Sequence, residues 1–305
     1  MPAANETAIL AHALQRECGG RWTLRRLNAS GFCATWRADS ADRRLFVKTL
    51  PASGSGMLHA EADGLRALAA AGAIRVPAVA SLSQLPEGGV AVAMEWLDLR
   101  APDAGFAARF GAALGALHIA PCPLQPPGYG WTRDNWLGAT PQANRRSAGM
   151  ELADWLDFFG HERLGALRDR LAAHGGAAVL CAAADAVIAA LPGLFDDGHR
   201  PRPSLIHGDL WSGNWGMLAD GTPVIFDPAV SYSDAEAELA MMELFGSPPA
   251  AFWPAYRASA GLHPGYVRRR PVYQLYHLLN HALLFGGGYG QQALSCAQQA
   301  LRPPG

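Results

Sequence analysis

The chain has 305 residues, half of them hydrophobic and only 17% charged, with a net charge of −1. That balance excludes a nucleic-acid binder driven by phosphate contacts. Five scattered cysteines (Cys18, Cys33, Cys122, Cys181, Cys296) exclude a disulfide framework or a clustered zinc site.

The first residues lack the basic-then-apolar order of a signal peptide, and no apolar run reaches the length of a membrane span. The expectation is a cytoplasmic protein with no nucleic-acid and no membrane partner. Residues 6–18 read as a helix with Asn5 as N-cap and Ile9, Leu10, Ala13 and Leu14 on one face. Strand-like runs follow at 22–27, 34–38 and 45–50, with the turn signal Asp39-Ser40-Ala41-Asp42 between the last two. A helix over 57–71 ends at Gly72. Two more strands, 76–82 and 89–96, flank the turn Pro86-Glu87-Gly88. Five strands and one inserted helix make a first lobe over residues 1–97. From 98 to 305 the pattern is mainly helical, with helices at 103–118, 150–173 and 178–191 and from Asp234 onward. Residues 120–148, rich in Pro, Gly and Asn, read as a long ordered loop. Short strands are expected at 204–206 and 222–226.

Polar residues of unusual type sit at the ends of those short strands. Asp209, in LIHGDLWSGN (205–214), can accept a proton from an attacking hydroxyl, or orient it. Asn214, five residues on (214 − 209), offers a carbonyl oxygen, a hard ligand suited to Mg²⁺. Asp227 in VIFDP ends the next strand, eighteen residues after Asp209 (227 − 209). A tight connection between the two strands would bring all three to one mouth. Lys48, inside LFVKTL, is either an outward-facing residue of an alternating strand or a buried amine with a partner. Glu61, thirteen residues on (61 − 48) in the next helix, is available as that partner. Such a pair would turn a cation toward the cleft, where it can meet phosphate oxygens. One base and two magnesium ligands are the parts phosphoryl transfer needs, because that chemistry is mainly positioning and charge neutralisation.

HGDLWSGN, PVIFDPAV, AMMELFG and YQLYHLLNH together resemble the fructosamine kinase (ketosamine-3-kinase) family, within the protein-kinase-like and aminoglycoside-phosphotransferase-like superfamily. FVK at 46–48, EADGLRAL at 61–68, MEWLDL at 94–99, LGALH at 114–118 and GATPQAN at 138–144 fit the same family, so the resemblance runs from about residue 22 to about residue 301. It implies an α+β, bilobal protein-kinase-like fold with a small five-stranded lobe and a larger helical one. It implies ATP and Mg²⁺ as cofactors, Asp209 as catalytic base, Asn214 and Asp227 as metal ligands, and Lys48 on the α/β-phosphates paired with Glu61. Met94, Glu95, Trp96 and Leu97 would form the hinge whose backbone binds adenine. The implied reaction is phosphorylation of a sugar hydroxyl, O3 of a free or protein-bound ketoamine, whose product sheds the sugar and repairs glycation. A monomer or a homodimer is expected. The runner-up readings are an aminoglycoside or choline-type metabolite kinase of the same fold, and a nucleotide-binding pseudokinase scaffold. The second is disfavoured because Lys48, Asp209, Asn214 and Asp227 are all present.

Several positions depart from the family pattern. The phosphate-covering loop falls at 28–33 with Gly31, its single glycine, assigned to ATP, where the family commonly has a Gly-Gly-Ser-Ile-Asn type sequence. Cys33 beside it reads as an inert thiol. In SDAEAELAMM the family's Arg near Ala235 is absent. Glu238 replaces an Asp, and its extra methylene still lets it reach the catalytic-loop backbone. Gly208 stands where regulated protein kinases carry Arg, so no guanidinium is offered to a phosphorylated loop and constitutive activity is expected. Trp211 either stacks on a sugar face or packs under the catalytic loop. His277 shares a helical face with Asn280 and His281 and either makes internal hydrogen bonds or touches substrate. Gln142 and Asn144 lie in a polar loop placed to close over the acceptor.

Overall fold

Alternating side chains give the five-stranded sheet two unlike faces, and that difference places Lys48. The computed structural model describes residues 3–28, 32–175 and 177–302; Gly31, assigned to the phosphate loop, lies outside the described residues. Strands β1 (Thr23–Asn28), β2 (Ala34–Asp39), β3 (Arg44–Leu50), β4 (Val79–Gln84) and β5 (Val90–Glu95) form one antiparallel sheet in the order β1-β2-β3-β5-β4. Leu45, Val47, Ala91 and Ala93 pack with Trp36 against Leu10 and Leu14 of helix α1 (Ala3–Cys18). Val90, Val92 and Met94 pack on the other side against Leu58, Ala62, Leu65 and Leu68 of α2 (Ser55–Ala71). Phe46 and Lys48, out of phase with Leu45 and Val47, share that second side.

Two expectations change here. Helix α1 begins at Ala3, so Asn5 lies in its first turn and does not cap it. Strand β4 begins at Val79, not at 76. Arg75 instead bridges to Val224 of the other lobe, its carbonyl accepting from Ile225 N at 3.0 Å. Pro77 has no N–H to give a ladder at that point. Helix α2 does end at Gly72, whose φ of 67° is the left-handed conformation glycine adopts freely.

The larger lobe contains α3 (Phe106–Ile119), the hairpin β6 (Asn135–Leu137) and β7 (Thr140–Gln142), α4 (Leu152–Phe158), a π-helical turn at Phe159–Gly165, α5 (Ala166–His174) and α6 (Ala178–Leu194). Short strands β8 (Ser204–Ile206), β9 (Trp215–Met217), β10 (Pro223–Ile225) and β11 (Ser231–Ser233) precede helices α7 (Ala235–Leu244), α8 (Phe252–Ala260), α9 (Tyr266–Phe285) and α10 (Tyr289–Ala300). Helices α3 and α8 approach closely through glycines: a Cβ on Gly111 would stand 2.3 Å from the Phe252 carbonyl oxygen. The strands that carry the motif residues are not partners of one another. β8 pairs with β11, and β10 pairs with β9. No described helix is long and apolar enough to cross a membrane.

A buried amide network ties the β6–β7 hairpin to the segment after Asp227. Asn135 Nδ2 donates to Val230 O at 2.8 Å, and its Oδ1 accepts from Gln142 Nε2 and Asn144 Nδ2, both at 2.7 Å. Tyr276 OH donates to Gln142 Oε1 at 2.7 Å. Arg163 Nη2 donates to Asn144 Oδ1 at 2.8 Å, and Nη1 to Ala143 O. Gln142 and Asn144 therefore do not close over an acceptor; both are buried, Gln142 bonding the carbonyl of Ala229. A second polar cluster joins α7 to α9. Arg269 forks onto Glu236 at 2.8 and 2.9 Å, while Asp234 takes His199 Nε2 at 2.8 Å and Tyr273 OH at 2.6 Å. His199, Asp234 and Glu236 bring their ligand atoms within 4.8 Å of one another. The Arg269 guanidinium already supplies the positive charge there, so the cluster is an ion-pair lattice and not a metal centre.

Arg163→Ala will strand Asn144 Oδ1 and Ala143 O in the interior. The loss of hydrogen bonds to a charged donor makes a stability loss of about 3 kcal/mol the expected result in urea unfolding. Arg163→Lys will recover little of it, because one ammonium cannot reproduce the planar fork.

Candidate active site

The buried pair Leu205 and Ile206 brings β8 into the loop 207–214, and backbone bonds lace that loop to residues 226–229. Phe226 N donates to Asn214 O at 3.0 Å, and Ala229 N to His207 O at 2.8 Å. The His207 ring works as a second lace. Its Nδ1 accepts from Asp209 N at 3.2 Å, which leaves Nε2 to donate to Phe226 O at 2.8 Å. Burial lowers the His207 pKa, in keeping with this neutral ring. Gly208 has φ 84°, and a Cβ there would stand 2.2 Å from Ala229 O. No larger residue fits, so its glycine has a steric reason besides the missing guanidinium. Glu238 of α7 accepts from His207 N and from Gly208 N (3.0 Å), the reach expected of its longer side chain.

Lys48 is a buried amine with two partners. Its Nζ donates to Glu61 Oε1 at 2.8 Å and to Asp227 Oδ1 at 2.7 Å, so the ion pair crosses between the lobes. Burial works against the Lys48 charge, but Glu61 and Asp227 outweigh it and its pKa rises. Burial raises the Glu61 carboxyl, Lys48 opposes that rise and Asp227 adds to it; the short contact keeps the pair ionic. Asp227 holds φ 62°, a strained conformation for a non-glycine residue that costs about 1–3 kcal/mol and that the ion pair helps to offset. Asn214 Nδ2 donates to Asp209 O at 2.8 Å and stands 3.5 Å from Asp209 Oδ2, which leaves the Asn214 Oδ1 as an acceptor. Burial raises the Asp209 pKa well above the ordinary carboxylate value; Asp227 and Glu238 add to the rise and Asn214 opposes it.

Two clefts flank this centre. One, about 260 Å³, is lined by Phe46, Met94, Glu95, Trp96, Leu97 and Asp227 among others. The Glu95 carboxylate is committed to Arg75 Nη2 at 2.6 and 2.5 Å, so the side chain is not free to serve a ligand there. The guanidinium groups of Arg37 and Arg44 each lie 5.5 Å from the centre of the Trp96 ring. The other cleft, about 380 Å³, is lined by Asp209, Trp211, Phe245, Asn280, His281 and Tyr289 among others. Trp211 is 40% exposed and its indole lies over Gly213, where a Cβ would come within 2.3 Å of the ring. It therefore faces the cleft and does not pack under the loop.

His277 does not reach that cleft. It lines a small pocket behind the loop with Tyr276 and Glu238, and burial pushes its pKa down to about 3. One turn on, Asn280 and His281 occupy the place the sequence reading had offered to His277. The shared helical face was legible in the sequence, but not which end of it opens. Cys33 sits close enough to Lys48 to feel its charge, yet burial wins and raises the thiol pKa, which disfavours a reactive thiolate.

Known proteins match the chain over nearly its whole length. The fructosamine kinase family model matches residues 12–303. A probable ketoamine kinase from Synechocystis sp. is 41% identical over 275 residues, covering 89% of this chain and 86% of the relative. A chloroplastic protein-ribulosamine 3-kinase from Oryza sativa is 37% identical over 257 residues, covering 84% and 72%. A crystal structure from Thermobifida fusca, provisionally assigned as a fructosamine-3-kinase, superposes with a TM-score of 0.84 at 33% identity, covering 96% and 99%. An aminoglycoside phosphotransferase, at 16% identity and a TM-score of 0.61 over 95% and 99%, shares the bilobal kinase-like fold alone. The laced loops, the interlobe lysine and these matches agree, and the chain belongs to the fructosamine kinase family.

Proposed function

We propose that the protein transfers the γ-phosphoryl group of ATP to a sugar hydroxyl of a ketoamine, O3, between an N-terminal lobe of residues 1–97 and a C-terminal lobe of residues 98–305. The observation that carries the reading is the position of Asp209. It lines the 380 Å³ cleft, and its backbone lies within hydrogen-bond reach of Asn214, one loop from Asp227 and Lys48. Asp209 takes the proton of the attacking hydroxyl. Its raised pKa suits it to hold that proton once transferred. Lys48 binds phosphate oxygens, and the apolar walls at Phe46 and Met94, with hinge backbone at Glu95–Leu97, take adenine.

The donor set fits Mg²⁺. Asn214 offers Oδ1 because its Nδ2 is occupied, and Asp227 is 45% exposed with one oxygen on Lys48 and a second to spare. Bound there, the ion would neutralise the triphosphate and order its γ-phosphoryl group. The Asp227 carboxylate and the Asn214 amide oxygen are hard donors of the kind Mg²⁺ takes.

The lining of the acceptor cleft separates acceptors. Among the described residues Asp209 is its one acidic side chain; the rest are aromatic and aliphatic groups with the Met241 thioether, the Asn280 amide and the His281 imidazole. A polycationic aminoglycoside would need several acids there. Aromatic faces such as Trp211 suit the C–H face of a sugar. Relatives that are ketoamine and ribulosamine kinases support the same class, whose phosphorylated product sheds its sugar and frees the amine.

Purified protein with fructose-lysine, ribulose-lysine and an aminoglycoside, with and without Mg²⁺, tests the reading. Magnesium-dependent turnover of a ketoamine is expected; turnover of the aminoglycoside alone would reject it. Asp209→Asn is expected to lower kcat by about 10²–10⁴-fold while moving the acceptor KM by a few-fold at most. The same variant has a stability signature. Because the folded Asp209 pKa lies above its unfolded value, the neutral acid stabilises the fold at low pH and that contribution is lost as pH rises through the folded value. Asp209→Asn should therefore melt higher than wild type at pH 8, and the gap should close as pH falls toward 4 in thermal scans.

A further inference from the structure

We infer that Phe32 is the roof of the acceptor cleft and keeps water from taking the acceptor's place; the inference rests on the ketoamine kinase reading. The walls of the cleft come from the larger lobe: Leu137, Gly138, Asp209, Trp211, Asn280, Leu284 and their neighbours. Phe32 is the one residue that the smaller lobe contributes among the described residues. It is 46% exposed, so half of a large apolar ring is still available for burial at the junction of the lobes.

The ring meets a fixed edge. Gly138 turns the β6–β7 hairpin with φ 60°, and the position a Cβ would take there is 3.4 Å from Phe32 Cε2 and 3.4 Å from Leu284 Cδ1. The hairpin behind that tip is pinned by three contacts, two of them from α2. Asn135 holds Val230 O, Arg133 pairs with Asp63 at 2.9 Å, and Trp136 lies so close to α2 that a Cβ on Gly56 would come within 2.5 Å of its ring. Phe32 itself leads into β2, where Thr35 pairs with Lys48. One ring thus connects the acceptor cleft to the strand pair that presents the phosphate-binding ammonium.

The consequence is chemical. In productive turnover the acceptor oxygen bonds to the γ-phosphorus, the bond from that phosphorus to the β–γ bridging oxygen breaks to release ADP, and the hydroxyl proton goes to Asp209. A water oxygen in the same place would give ADP and inorganic phosphate, with its proton on the same carboxylate. A roof over the acceptor favours the first course by excluding bulk water and by adding apolar contact to the bound sugar.

Parallel measurement of ADP release and of phosphorylated fructose-lysine tests this. Phe32→Ala is expected to raise the acceptor KM about tenfold, the size of a lost aromatic contact, and to lift ADP formed per phosphorylated acceptor clearly above one. Phe32→Tyr should keep the ratio near one. Leu284→Ala opens the same gap from the opposite side and should shift the ratio in the same direction. A residue serving the fold alone would lower both products together and leave their ratio at one. Wild-type acceptor KM and ratio in Phe32→Ala would overturn the roof while leaving the kinase reading intact. A wild-type protein that fails to phosphorylate fructose-lysine would refute the kinase reading and the roof with it.

Discussion

A buried ammonium must be neutralised where it lies, and Lys48 is neutralised from both lobes at once. Glu61 reaches it from α2 and Asp227 from the loop after β10. The protein interior strengthens both contacts and makes either one hard to lose without the other. The relative placement of the two lobes at this point is therefore set by charge. So is the conformation of Asp227, whose positive φ turns its carboxylate toward the amine.

Around that contact the larger lobe is built to hold two short loops still. Loop 207–214 and segment 226–229 are bound to one another through backbone atoms and His207 Nε2, while His207 Nδ1 braces the loop internally and Glu238 closes the turn from α7. Behind them, Asn135, Gln142, Asn144, Arg163 and Tyr276 form a network with no water-facing member. Such networks rigidify when every group is paired. Several motif positions thus have a structural job. Gly208 permits a close approach, His207 sets a crossing, and the GATPQAN stretch anchors the carbonyls that follow Asp227.

The two clefts also differ in charge. The cleft beside Trp96 has mostly apolar walls with Glu95 and Asp227 at its edge, both engaged by cations, while Asp209 is the one acid lining the other among the described residues and its proton affinity is raised by burial. A single carboxylate suits a neutral hydroxyl acceptor better than a polycation. The same burial that tunes Asp209 costs stability above its folded pKa, a frequent trade at sites where ionisable groups are held in place for chemistry.

Local pattern was enough for the strands and long helices, because periods of two and of 3.6 persist over several residues. The alternation of LFVKTL separates Lys48 from Val47, and Gly72 ends α2. Spacing was also enough to nominate Glu61 as a partner and to group Asp209, Asn214 and Asp227. Strands β6, β7, β9 and β11 escaped notice because three residues carry no period, and their partners lie far along the chain. Packing alone decided that β8 pairs with β11, that Gln142 and Asn144 turn inward, that His281 and not His277 meets the cleft lined by Asp209, and that Phe32 from one lobe lines a cleft in the other. Sequence records which side chains are neighbours along a strand or helix. Which of them share a void depends on how distant elements stack, and that is settled only when the whole chain has buried its surface.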